Sequence, residues 1–392
     1  MHKSTTLGLG VSGLFATHFF GFGFYLPYFP FILESGGLSV TQVGVVLGAS
    51  TIARIIANPL MTALSDHAGR RRLSIFIYSV IGSLFVVLFA LTDGYWAALL
   101  TVSGLLIFWS PIVPLSDAYA ISASRTHALD YGKMRLWGSL GFIAANLLGG
   151  WIIGSHGTVP LLVMLGLGVL STGLVAVILP PQGPKGEEPV LAGKDQKPHF
   201  LAEPKFLIIL IVIGMLQGGH AAYYGFATLY WSAAGLSQFY IGILWAIGVA
   251  AEVALFMFAR RLQLRMGPQV FLLVAALSGA LRWTLFPLAD GPVAAIAIQC
   301  LHCLTFAAGH LGAVAYISRI VPEKWSATGQ GFMAASNGIQ LAIGMAICGP
   351  LFAMDARYPF WLMAATCTVA SIALLALWPM MRDKLAQHAV VT

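Results

Sequence analysis

The chain has 392 residues, 58% of them hydrophobic and only 9% charged, where a soluble globular domain carries about 25% charged residues. That balance excludes a soluble domain and marks a polytopic membrane protein. The net charge of +7 does not imply nucleic acid, because the basic residues gather in loops that share one side of a membrane.

A spanning helix needs about 20 apolar residues. About twelve such runs can be laid along the chain, at 7–33, 41–64, 73–92, 95–120, 135–155, 159–180, 206–232, 238–261, 269–289, 292–320, 326–354 and 358–381. They are far longer than the roughly 10-residue alternating strands of a membrane barrel, so the expected fold is an all-α membrane protein of twelve transmembrane helices. The first run is too long for a signal-peptide core and lacks a small-residue cleavage site, so it stays as a helix. It carries Phe20, Phe24, Tyr25 and Tyr28, with Pro27 and Pro30 marking irregular backbone. Proline frees a carbonyl, tolerated in a membrane where neighbouring helices or a cavity satisfy it.

The second run contains Arg54, and the fourth contains Pro111, Pro114 and Asp117. Arg135 opens the fifth. A polar, proline-rich connector, 181–205, then separates six helices (1–180) from six more (206–392). The seventh run brings His220, Tyr223, Tyr224, Phe226 and Tyr230, the eighth Glu252, the ninth Arg282 and the tenth His302 and His310. Cys300, Cys303, Cys348 and Cys367 all lie in apolar runs, which is no disulfide framework. No metal or other cofactor is expected. Basic loops around Arg70, Arg71, Arg72, Arg125, Lys133, Arg260, Arg261, Arg265 and Arg319 place the connector and both termini in the cytoplasm, with Arg357 opposite.

The two halves repeat. One constant offset aligns Gly37-Leu38-Ser39 with Gly235-Leu236-Ser237, Gly44 with Gly242, Gly69 with Gly267, and Arg54 with Glu252. A second, across a change in loop length, sets His18 on His220, Gly23 on Gly225, Phe24 on Phe226 and Tyr28 on Tyr230. Repeated halves around a midplane site are a common plan for secondary transporters.

Charges inside membrane spans are costly unless they face a bundle interior or a wet cavity, and so mark functional sites. Arg54, Arg135 and Arg282 outnumber Asp117 and Glu252, and arginine cannot deprotonate in a protein. The surplus of positive charge favours an anionic solute, and a guanidinium suits a two-point grip on a carboxylate. The plainer alternative is two structural pairs, Asp117 with Arg135 and Glu252 with Arg282. The aromatic side chains of the first and seventh runs offer walls for a flat ring, worth about 1 kcal/mol per well-made pair beyond burial. His18, His220, His302 and His310 are candidate proton shuttles, since histidine titrates near physiological pH.

Asn58-Pro-Leu-Met-Thr-Ala-Leu-Ser65-Asp66-His67-Ala68-Gly69-Arg70-Arg71-Arg72 resembles the signature loop of the major facilitator superfamily, with Asn58 in place of its leading glycine. The resemblance implies a gating role for Asp66, Gly69 and Arg70. The corresponding stretch of the second half, Arg260 to Gly267, lacks the acid.

Asp117-Ala-Tyr, Asp130-Tyr-Gly-Lys-Met-Arg135-Leu-Trp-Gly-Ser, Gln217-Gly-Gly-His220-Ala-Ala-Tyr223-Tyr224-Gly-Phe226, Ala251-Glu252-Val, Leu281-Arg282-Trp283 and Gln299-Cys-Leu-His302-Cys together resemble the phenylpropionate permease family, a relative of lactose permease. The resemblance implies two pseudo-symmetric six-helix bundles. It implies sugar-site counterparts in Asp117 and Arg135, and proton-coupling and affinity counterparts in Glu252, Arg282 and His302. Thr305 stands where lactose permease has a further acid, so coupling must rest on Glu252, Asp117 or a histidine, or else be absent.

The expectation is therefore a proton-coupled importer of a small aromatic carboxylate, a monomer in the inner membrane whose partners are the solute, protons and lipid. Arg54, Asp117, Arg135, Arg282, Tyr28, Tyr223, Tyr224 and Phe226 are the candidate substrate residues, and Glu252, His302, His220 and Asp117 the candidate proton residues. A sugar or nucleoside permease, or a non-transporting sensor of the same fold, is the alternative. No metal-binding His pair, nucleophile elbow or phosphate loop points to an enzyme.

Overall fold

The computed structural model describes residues 2–181, 201 and 203–381. Most of the connector expected at 181–205 lies outside the described residues, as do Arg382 and Lys384. Among the described residues there is no strand, and twelve helices are long and apolar enough to cross a membrane. These are Thr6–Ser35, Val40–Ala68, Arg71–Ala90, Tyr95–His127, Tyr131–His156 and Thr158–Ile178, then Pro204–Ala233, Gln238–Arg265, Pro268–Leu288, Gly291–Ile320, Thr328–Met354 and Tyr358–Ala376. They are called the first to twelfth spans below.

Several spans run beyond their apolar windows. The second continues to Ala68, so Asp66 stands in its last turn and the connection to the third span shrinks to Gly69 and Arg70. Gly69 adopts φ +64°, the left-handed conformation that stops a helix without a Cβ clash, and its N–H bonds to Asp66 O at 3.1 Å. The fifth span starts at Tyr131, capped by the Asp130 side chain on Lys133 N, so Arg135 lies a turn inside the helix rather than at its opening. Pro27, Pro30 and Pro350 lie within continuous helices, whereas the fourth span breaks between Trp109 and Ile112, beside Pro111. The seventh breaks between Gly218 and Ala221, and the tenth widens to a π-helical turn over Cys303–Ala308.

Local structure repeats where the sequence does. Gly37 (φ +92°) and Gly235 (φ +84°) end the first and seventh spans in the same way. Gly37 N bonds to Glu34 O at 2.9 Å and Leu38 N to Leu33 O at 3.2 Å, while Gly235 N bonds to Ser232 O and Leu236 N to Trp231 O, both at 3.0 Å. This is the Schellman pattern, in which a left-handed residue lets two N–H groups satisfy the last carbonyls. Ser39 and Ser237 then cap the next helix through Gln42 N and Tyr240 N, each at 3.3 Å. The repeat does not extend to Gly267, which is extended at φ −69° and precedes the ninth span.

Packing divides the chain into two compact units, Met1–Gly186 with Tyr224–Ala246, and Glu187–Tyr223 with Ile247–Thr392. In the first unit, small residues bring backbones together: a Cβ on Gly168 would stand 2.7 Å from Gly21 Cα, and one on Gly141 would stand 2.5 Å from Ala16 O. In the second, a Cβ on Gly312 would lie 2.9 Å from Phe271 Cβ. Lipid supplies no hydrophobic drive between spans, so such close approach holds helices together by dispersion.

Candidate functional site

In the second unit the polar side chains converge on Arg282. It is wholly buried. Its Nε donates to Ile298 O at 3.1 Å, Nη2 to Gln299 Oε1 at 2.8 Å, and Nη1 to Thr305 Oγ1 at 3.1 Å. Nη1 also stands 2.8 Å from His302 Nδ1. The planar group lies over Trp283 and Tyr223, 4.3 and 4.8 Å from their ring centroids. A buried guanidinium needs such a full set of acceptors, and all four come from the tenth span, at 298, 299, 302 and 305. The spacing puts them on one side of that helix.

These contacts set the state of His302. Arginine can only donate, so His302 Nδ1 accepts and the ring proton sits on Nε2. Nε2 is 2.8 Å from Glu252 Oε1. The imidazole thus links Arg282 to Glu252, and the pair proposed as a plain alternative, Glu252 with Arg282, runs through a histidine. Glu252 is one-seventh exposed at its side chain and also lies within electrostatic reach of His310. Tyr223, buried, accepts from Gln299 Nε2 at 2.8 Å and so orients the amide that receives Arg282.

Thr305 fills the place of the missing acid. Besides Arg282, its hydroxyl bonds to His302 O at 3.2 Å and stands 3.2 Å from His220 Nε2. His220 Nδ1 lies 3.1 Å from Leu216 O, which can only accept, so Nδ1 carries a proton. Arg282, His302, Glu252, His220 and Tyr223 are therefore one connected group. Gln299 and Thr305 complete it; the sequence marked Thr305 only as a replaced acid and Gln299 only as part of a family-like string, and neither as a partner of Arg282.

In the first unit Asp117 accepts from the Tyr131 hydroxyl at 2.9 Å. Among the described residues it makes no ion pair with Arg135; both charges flank Tyr131. The Arg135 guanidinium lies over Phe19 and Phe15, 4.1 and 5.3 Å from the centroids. Tyr131 is the member that sequence reading missed, and its position beside Asp130 in a family-like string was the available signal. Arg54 lies in the second span, within electrostatic reach of Tyr25.

The aromatic candidates divide. Tyr28 is fully buried, bonds to Asn146 O at 2.5 Å, and is closed in by Gly149 and Gly242, where a Cβ would come within 2.6 and 2.7 Å of it. It packs helices together and presents no free face. Tyr223 and Tyr224 are consecutive, yet Tyr223 joins the Arg282 group while Tyr224 stacks on Trp245 in the first unit (6.4 Å, 20°). Phe226 is fully buried, also in the first unit.

At the end of the second span Asp66 accepts from Arg71, at 3.1 Å from Nε and 3.0 Å from Nη2. Arg70, also expected to gate, is exposed, and its side chain makes no hydrogen bond or ion pair among the described residues. Arg72 Nη1 donates to Leu179 O at 2.7 Å, at the end of the sixth span.

A family model described as the MFS_1 like family matches residues 11–363. The chain is 33% identical over 353 residues to a probable 3-phenylpropionic acid transporter of Escherichia coli (strain K12), covering 89% of this chain and 92% of that protein. It is 24% identical over 323 residues to the lactose permease of Klebsiella oxytoca, covering 78% of each. The crystal structure of the nucleoside transporter NupG superposes with a TM-score of 0.81 at 19% identity, over 95% of this chain and 99% of that one. That last likeness concerns the fold.

Proposed function

The chain belongs to the MFS_1 like family and is a multi-pass membrane transporter of the major facilitator superfamily, and on that premise we propose that it imports a small aromatic carboxylate together with protons. The supporting observation is the buried line Arg282–His302–Glu252, with successive contacts of 2.8 Å. A carboxyl group whose neighbour is a histidine of fixed tautomer, itself held by a permanent cation, can take up or release a proton without breaking the surrounding network. Gain or loss of that proton changes the charge beside Arg282 and so biases whichever arrangement of the protein tolerates it, which is how a ligand shifts a conformational equilibrium.

In this reading the two six-helix halves, 1–180 and 206–392, move as bodies joined by the 181–205 connector. The protein works as a monomer in the inner membrane with both termini in the cytoplasm, where its basic loops lie. Asp66 and Arg71 steady one conformation of the cytoplasmic side. The aromatic-acid assignment draws on the 33% identical relative, whose name carries that substrate.

The test is uptake into proteoliposomes under an imposed proton gradient. 3-Phenylpropanoate should accumulate against its own gradient, and accumulation should collapse with a protonophore. Equal or better uptake of 3-phenylpropanamide, or of maltose or a nucleoside, sinks the aromatic-acid reading in favour of a sugar or nucleoside permease. Binding without any accumulation points to a sensor.

A further inference from the structure

Arg54, Arg135 and Arg282 differ in what they already hold. Arg282 has four protein acceptors, and Arg135 lies on two phenylalanine rings beside Tyr131. The guanidinium of Arg54 makes no hydrogen bond or ion pair among the described residues. Its surroundings nevertheless hold it in register. One turn before it, Ser50 Oγ stands 3.2 Å from Ser103 Oγ, and one turn after it, Asn58 Oδ1 accepts from Ser110 Oγ at 3.3 Å. Ser50, Arg54 and Asn58 share one face of the second span at i, i+4 and i+8, so that face is tied to the fourth span on either side of the arginine.

A second feature lies in the same corner. Trp109, at the break of the fourth span and one residue before Ser110, is the hub of a ring cluster. Its centroid is 5.4 Å from His18, 5.6 Å from Tyr25 and 5.9 Å from Phe22. Trp109 and His18 are almost wholly buried, at 2% and 5% exposure, yet Trp109 Nε1 and His18 Nδ1 have no hydrogen-bond partner among the described residues. The Tyr25 hydroxyl, near Arg54, has none either. Buried polar atoms are rarely left unpaired, and each such atom asks for an explanation. Here guanidinium and indole are donors only, and the phenol is able to donate. Unfilled donors that no carboxylate among the described residues fills describe a receptor for an anion. The rings beside them describe one whose anion is attached to something flat and apolar.

The geometry points to Arg54 as the residue that receives the solute's carboxylate in a two-point grip, with Tyr25, Trp109 and His18 framing the attached ring. Arg282 then acts as a positioning residue for His302 and Glu252. This rests on the reading of the solute as an aromatic carboxylate, and it divides the labour: anion recognition in the first unit, proton binding in the second. The unpaired state of Arg54 is what favours it over Arg282, since a guanidinium already donating to four acceptors would have to abandon them to hold a substrate.

The experiment is calorimetric binding of 3-phenylpropanoate and 3-phenylpropanamide to the purified full-length protein, as wild type, Arg54→Gln, Arg54→Lys and Trp109→Phe. Wild type should prefer the acid. Arg54→Gln should weaken acid binding roughly 10- to 100-fold, the range for loss of hydrogen bonds to a charged group, and leave the amide unchanged, so that the preference disappears. Arg54→Lys should keep a preference for the acid at reduced affinity, because an ammonium offers a point charge without the planar fork. Trp109→Phe, which keeps a ring and removes one N–H, should weaken the acid more than the amide. An unaltered acid-over-amide ratio in Arg54→Gln overturns the proposal, and so does wild-type acid affinity in Arg54→Lys should the glutamine variant fail to fold. Wild-type protein that binds no aromatic acid strikes instead at the substrate reading on which the proposal stands.

Discussion

Asp66 and Arg71 hold each other across the end of the second span, with two guanidinium nitrogens of Arg71 at 3.1 and 3.0 Å from the same carboxylate oxygen. Both side chains are about a third to a half exposed, so the pair adds little to stability, about 1 kcal/mol at most. Its effect should be on rate. Asp66→Asn and Arg71→Gln are expected to slow initial uptake several-fold while leaving substrate affinity and the thermal midpoint in detergent near those of the wild type. Arg70→Gln, which removes a side chain without a partner, should be close to neutral. Initial-rate uptake on the three variants checks the ranking, and a larger defect from Arg70→Gln would return the role to that residue.

Glu252→Gln keeps the shape of the side chain and removes its ability to carry a proton. Counterflow exchange of labelled 3-phenylpropanoate should survive, uphill accumulation should be lost, and the pH dependence of uptake should flatten. Normal accumulation by this variant would move the proton carrier to Asp117 or a histidine.

Replacing Arg282 is expected to destabilise the protein as well as stop uptake. Arg282→Met leaves Gln299 Oε1, Ile298 O and His302 Nδ1 without the donor that serves them, at about 1–3 kcal/mol for each buried group left unsatisfied. Thr305→Val removes one hydroxyl and should cost about 1–3 kcal/mol in total. Thermal unfolding in detergent should therefore rank wild type above Thr305→Val and Thr305→Val above Arg282→Met. An Arg282→Met protein as stable as wild type would mean the network does not support the fold.

Asp355, between the last two spans, provides a pH marker outside the membrane. Hydrogen bonds from Arg357, to its side chain and then from the backbone N–H, hold the carboxyl down at about 2. A carboxyl depressed in the folded state contributes above the ordinary carboxylate range and loses that contribution only as pH falls through the depressed value. The difference in thermal midpoint between wild type and Asp355→Asn should thus stay constant from neutral pH down to about pH 5, above the usual carboxylate pKa. Below about pH 4 that difference should shrink as the unfolded chain takes up the proton first, and a difference that stays flat down to about pH 2 would show a carboxyl that is not held down in the folded state.

The five intramembrane charges were legible because a charge in an apolar run needs no three-dimensional information to stand out. The matching turns at Gly37 and Gly235 were legible for a similar reason, since a helix stop is written in a few consecutive residues. What each charge touches was not. His302 stands between Arg282 and Glu252 only because the eighth, ninth and tenth spans bring residues far apart in sequence together. Tyr223 and Tyr224 diverge because neighbouring side chains on a helix point about 100° apart, so adjacency in sequence separated them in space. The ends of the second and fifth spans were placed short, since hydropathy reads the hydrocarbon core while hydrogen bonding carries the helix on through polar residues such as Asp66 and Tyr131.

The wide turn at Cys303–Ala308 fixes the tenth span's phase. A π turn accommodates one more residue than regular winding would, so everything downstream is rotated by about 100° relative to an unbroken α-helix. Upstream of it lie three of the acceptors of Arg282, at 298, 299 and 302, with Thr305 inside the turn itself; downstream lies Gly312, seated against Phe271 and Pro268. Excising a single residue here would leave His302 where it is and swing Gly312 off its seat, so the span tolerates substitution within this stretch far better than a change in its length.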